Sequence, residues 1–239
     1  MLIIKKINNK IIIKRVFALT VLSVFLAGTS YFIFSPAIIM AYSSTGTATP
    51  TLVVTGELNV TSPGVITLSN SIPGMTGNYG NPASGTAIFT VVTSNVAGFT
   101  MTLSAGTDSD VLATGAYYFS DYTATATPDY TWTSPDVGSG TFGFALGASG
   151  TQGADAAQAF KNNGGACNIS GGTNSASYCW RGFQNSFSTP VPVINRGTAT
   201  PDGGIEETVV FQAEYRGGTG YYLTSGTYTA TITATAATQ

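Results

Sequence analysis

From residue 52 onward, apolar and polar side chains alternate in short runs. Leu52, Val54, Leu58 and Val60 alternate with mostly polar neighbours, and Phe99, Met101, Leu103 and Ala105 alternate with Thr100, Thr102 and Ser104. Val209, Phe211, Ala213 and Tyr215 alternate with Thr208, Val210, Gln212 and Glu214. Tyr228, Ala230, Ile232 and Ala234 alternate with Thr229, Thr231, Thr233 and Thr235. Successive side chains of a strand point to opposite faces, so each run predicts a strand with one buried and one wet face. Threonine suits the wet face because its branched Cβ packs well on a pleated surface. In the run Ile88-Phe89-Thr90-Val91-Val92 both faces are apolar, which predicts a central strand.

Turn signals separate these runs: Ser62-Pro63-Gly64, Ile72-Pro73-Gly74, Asn81-Pro82, Asn95-Val96-Ala97-Gly98, Pro201-Asp202-Gly203-Gly204 and Gly217-Gly218. Further short strands are predicted at 64–69, 115–124, 129–133, 141–146 and 178–183. About eight to ten short strands with frequent turns predict an all-β chain folded as an antiparallel β-sandwich, immunoglobulin-like or jelly-roll, with a barrel as the alternative. The sandwich domain spans 51–239, and 42–50 is a flexible lead-in. The Gly/Ala/Ser-rich stretch 147–177 predicts a long loop holding one short helix over Ala154–Lys161, with Asp155 and Lys161 placed to suit the helix dipole.

The first 41 residues follow another pattern. Lys5, Lys6, Lys10, Lys14 and Arg15 precede an apolar run from Val16 to Phe34, which Ser35-Pro36 interrupts. A basic start followed by an apolar run is an export signal. Two fates are open: cleavage after Ala41 or Ala37, or retention as an uncleaved membrane anchor with the basic side in the cytoplasm. Pro36 breaks the helix where a cleavage region should begin and favours the first. The four remaining cations, Lys161, Arg181, Arg196 and Arg216, are scattered among eleven acids, and all the acids lie beyond the leader. This acidic surface has no electrostatic footprint for nucleic acid.

Cys167 and Cys179 are the only cysteines, and they flank a short loop. Outside the cytoplasm such a pair is expected to form a structural disulfide. The chain contains no histidine, which removes Ser-His-Asp and Cys-His catalysis and every His-ligated metal site. No phosphate-binding Gly-rich loop is present. Of the carboxylates closest in sequence, Glu206 and Glu207 face opposite ways if they lie on a strand. Asp108 and Asp110, in a Gly-Thr-Asp-Ser-Asp stretch, read as a solvated turn, with a calcium site as the alternative. No cofactor is expected. Aromatics crowd residues 117–132 and recur at Trp180, Phe183, Phe187, Tyr221 and Tyr222. Most should fill the core. Trp180, Tyr221 and Tyr222 are the candidates for stacking on a sugar or anchoring a partner, with Trp180 alternatively packing on the disulfide.

The segments Gly98-Phe99-Thr100-Met101-Thr102-Leu103 and Gly226-Thr227-Tyr228-Thr229-Ala230-Thr231-Ile232 resemble strands of bacterial cell-surface β-sandwich proteins, nearest the WxL-type cell-wall-binding domain. That family's Trp-x-Leu signature is absent: the closing strand reads Ile232-Thr233-Ala234, and Trp132 lies elsewhere, in Tyr130-Thr131-Trp132-Thr133. The resemblance covers two strands; it implies a surface-associated protein and does not extend to peptidoglycan binding. The expected function is therefore an exported structural or interaction protein, adhesin-like or part of an envelope coat, without catalytic activity. Its expected partners are surface proteins, glycans or further copies of itself. The alternatives are a carbohydrate-binding module and a secreted hydrolase working through carboxylates alone.

Overall fold

The computed structural model describes residues 14–15, 17–24, 51–106, 111–124, 127–147, 155–172, 178–183 and 189–239. Residues 17–24 are helical and exposed. Among the described residues no helix is long and apolar enough to cross a membrane. The rest of the predicted leader, and the lead-in over 42–50, lie outside the described residues.

Among the described residues, the region from Val53 onward contains ten strands: β1 (Leu58–Thr61), β2 (Ala83–Thr93), β3 (Phe99–Ala105), β4 (Leu112–Thr114), β5 (Tyr117–Asp121), β6 (Ser139–Leu146), β7 (Tyr178–Arg181), β8 (Val191–Arg196), β9 (Ile205–Arg216) and β10 (Ile232–Thr238). Seven form one sheet in the order β1-β2-β9-β6-β5-β4, with β7 also paired to β6. The other three form a second sheet in the order β10-β3-β8. The pairings are antiparallel except β5 with β6, which run parallel. The fold is an all-β sandwich.

Alternation explains the burial. On β3, Phe99, Met101 and Leu103 are fully buried while Thr100, Thr102 and Ser104 are only half-buried. On β9, Ile205, Val209, Phe211, Ala213 and Tyr215 face the core. The centre of the core is a stack of rings: Phe183 lies 4.5 Å from Phe144 and 6.4 Å from Phe211, and Phe142 lies 6.0 Å from Phe183. Burying a side chain of this size stabilises a fold by about 1.5–3 kcal/mol.

Several expectations need correction. The outer face of β9 is not uniformly wet, because Gln212 and Glu214 are buried. A second, smaller cluster of Tyr122, Ala145 and Trp180, with Trp132 and Val210 against it, provides apolar cover on that side. Conversely, Ile88 and Val92 on β2 stay 45% and 41% exposed. β2 is an inner strand, between β1 and β9, without being covered on both faces. Residues 64–69 and 129–133 form only isolated bridges, Ser69 with Ser84 and Asp129 with Trp180. The predicted helix over Ala154–Lys161 reduces to one 3-10 turn at Gln158–Phe160 among the described residues. The reason is a competing pairing along β8: Asn195 N–H donates to the Asp155 carbonyl, Ala157 N–H donates to the Val193 carbonyl, and Asp155 forms an ion pair with Arg196. An extended segment supplied with these partners has no use for helical hydrogen bonds.

Candidate functional site

Cys167 and Cys179 form a disulfide, with Cα atoms 5.7 Å apart. It ties the segment after the 3-10 turn to β7, and both sulfurs lie within the main core. A covalent bond of this kind belongs to oxidising compartments. Reduction under native conditions should lower the thermal midpoint, by an amount corresponding to about 3 kcal/mol for a loop of this size. Unreduced peptide mapping should recover the two cysteines in one linked species. Two alkylatable thiols in the folded, isolated protein would contradict the pairing.

The structure separates the three candidate aromatics. Trp180 is only 5% exposed. It meets Trp132 edge-on at 5.1 Å, while Trp132 stacks on Tyr122 at 4.6 Å. Trp180 is thus a member of the outer-face cluster and presents no platform to a ligand, which corrects its candidacy. Tyr221 and Tyr222 are 57% and 68% exposed. The Tyr221 ring rests directly on the backbone at Gly138, where any Cβ would come within 2.6 Å of it, at a φ of +81°. Glycine is required there on both counts. Near the same end of β9, the Arg216 guanidinium lies 4.2 Å over the Tyr79 ring, and Met75 and Val137 are exposed. Tyr79, Tyr221 and Tyr222 with Arg216 therefore make an amphipathic surface able to stack on flat or apolar groups.

The neighbouring carboxylates Glu206 and Glu207 do not converge. Glu206 is exposed and Glu207 is buried, on opposite faces of β9. Glu214, on the face opposite Glu207, is fully buried and accepts hydrogen bonds from Gly80 N–H at 2.6 Å, Trp132 Nε1–H at 2.6 Å and the Ser134 hydroxyl at 2.9 Å. Three donors hold its carboxyl group in place, and its burial leaves it no access to a substrate. Glu207 is different. Both its oxygens are buried without a hydrogen-bond partner among the described residues. Burial first, then the charge of Asp155, push its pKa up to about 8. At neutral pH Glu207 is therefore mostly protonated. Burial also pushes the Arg181 guanidinium down to about 10. Burial lifts the Tyr122 hydroxyl above its ordinary value, opposed by the hydrogen bond it accepts from Thr133 N–H and reinforced by the one it donates to Asp129.

Among the described residues no three His, Cys, Asp or Glu side chains gather to hold a metal. The calcium alternative, Asp108 with Asp110, lies outside the described residues.

A groove of about 860 Å³ opens between the segments 62–74 and 223–232. Phe89, Phe119, Phe142 and Phe211, core-face residues of the larger sheet, reach it from within. Its rim adjoins the tyrosine surface, since Leu223 N–H donates to the Gly74 carbonyl. No single motif marks it, because it arises where two irregular segments replace strands of the smaller sheet.

Compared with protein-family models and with curated proteins, the chain matches none.

Proposed function

We propose that the chain is an exported cell-surface protein with a structural or interaction role, adhesin-like or part of an envelope coat, and that it performs no catalysis. The observation that carries this reading is the Cys167–Cys179 disulfide inside a β-sandwich whose sequence is preceded by a basic-then-apolar leader. The fold needs an oxidising compartment to acquire the bond, and the leader is the kind of segment that takes a chain there. The two-strand resemblance to cell-surface sandwiches points the same way. Fractionating the native cells and alkylating thiols before lysis provides the test. The protein should be recovered in the envelope or medium with both cysteines unavailable to alkylation. Recovery in the cytoplasm with two free thiols would sink the proposal.

The tyrosine surface favours a glycan as one partner of such a protein. Tyr221→Ala and Tyr222→Ala should each weaken binding to a responding glycan on an array by about tenfold, as loss of an exposed stacking contact would. Their melts should match the parent's. An array without any responding glycan would remove this second reading and leave a protein partner.

A further inference from the structure

One side of the sandwich is incomplete. Tyr228, Ala230, Ile232, Ala234 and Ala236 alternate towards the core, yet all stay half-buried, and so do Leu58 and Val60 on β1. On β3, the paired neighbour of β10, Phe99, Met101 and Leu103 are 0% exposed. Tyr228, Ala230 and Ile232 line the open groove, whose rim includes Val65 at 97% exposure. Its lining contains no Asp, Glu, Lys or Arg. Among the described residues β10 pairs along one edge only, with β3, and β1 pairs with β2 alone. Along the groove itself, residues 62–68 and 223–228 belong to no strand, and backbone outside a ladder beside an uncovered apolar surface is a template for one more strand.

A strand of matching character is present in the same chain. Thr51-Leu52-Val53-Val54-Thr55 alternates as a strand should, and the sequence carries no charge from Tyr42 to Gly56. Val53 and Val54 are 85% and 79% exposed and lie outside every strand. Their own groove is far away. Glu57 N–H donates to Ser94 Oγ at 3.0 Å and Leu58 pairs with Thr93, so the segment leaves the domain beside the turn from β2 to β3. The groove residue Ile232 pairs with Ala105, at the opposite end of β3, roughly 20 Å further on at strand spacing.

We propose that residues 51–55 of one molecule enter the groove of a second copy as an added β-strand, with Leu52 and Val54 directed inward. The proposal deepens the surface-protein reading by naming the partner as the chain itself. Main-chain hydrogen bonds to the non-strand backbone along the groove supply general affinity, and alternate apolar side chains supply the fit. Neither surface carries a charge that would have to be buried unpaired. Because the plug is rooted at Glu57, at the end of β3 away from the groove, the contact is heterologous. It propagates into an open chain of subunits rather than closing as a dimer.

The test uses the full chain isolated from the exporting cells, sized by light scattering. The parent should form assemblies of several subunits. Leu52→Asp with Val54→Asp should reduce the mass to that of one subunit, with an unchanged melt. A fluorescent peptide of the parent sequence 48–57 should bind the single-subunit variant, and the same peptide with Ser at 52 and 54 should not. A parent that remains a single subunit, a doubly substituted chain that assembles like the parent, or a parent peptide that fails to bind would each overturn the proposal. None of these results bears on where the protein resides, which the fractionation above decides separately.

Discussion

Stability should fall as the pH is raised from about 4.5 to about 8, and Glu207→Gln should abolish most of that fall. In the unfolded chain Glu207 loses its proton near 4.5, whereas in the fold burial and the charge of Asp155 keep the proton on until about 8. Between these values the folded state binds the extra proton, so raising the pH favours unfolding. Below the lower value both states are protonated and the contribution is complete; above the higher one it is lost. At about 1.36 kcal/mol per pH unit the full effect approaches 4–5 kcal/mol as an upper bound. That is a large share of a typical domain stability of about 5–15 kcal/mol. Denaturant melts of the parent and of Glu207→Gln across this range decide the matter. A parent curve that rises with pH, or a variant that falls as steeply as the parent, would show that Glu207 is charged in the fold.

Phe183→Ala should destabilise the domain by about 3–5 kcal/mol, the range for deleting a large buried aromatic. Phe183 has no exposed surface and lies within stacking distance of Phe142, Phe144 and Phe211. It belongs to the segment just after β7, which the disulfide bond and two ladder pairings with β6 hold in position. With so much of its surroundings fixed, the site has little freedom to collapse around the deleted ring. Trp132→Ala makes the comparison, because Trp132 is only half-buried and belongs to the smaller outer cluster. Chemical denaturation should place the Phe183 variant as the less stable of the two. A loss below about 1 kcal/mol would mean that the ring stack is not the centre of the core.

The strands legible in the sequence were those whose two faces see different surroundings. β3, β9 and β10 each alternate because one face meets the core while the other carries mostly polar side chains. β8 went unread because Pro192 interrupts Val191-Pro192-Val193-Ile194. It is tolerated since β8 is the last strand of its sheet and Pro192 points outward. Glu207 was within reach: extending the β9 alternation back through Val209 to Ile205 places it on the core face, and a carboxylate in that series is the anomaly to follow. The burial of Trp180 was not readable, because its cover comes from Trp132 and Tyr122, brought over by a segment without a periodic pattern. The groove was equally hidden, since 62–74 and 223–232 meet only after the sheets have formed.

The position of β9 sets the order in which the molecule can come together. It lies between β2 and β6 and pairs with both, Ala213 sitting between Ala83 and Phe142. Neither neighbour has a substitute for it, so a nascent chain that has emerged only as far as β8 holds the pieces of the larger sheet without its middle. Contacts this distant in sequence close slowly, on the order of milliseconds to seconds. The Cys167–Cys179 pair, separated by 12 positions, can meet long before that. The two thiols therefore meet before the sheet they will rest against, while the bond itself waits on an oxidant for about seconds to hours, and a chain cut anywhere ahead of Ile205 should fail to assemble the larger sheet whether or not its cysteines have joined.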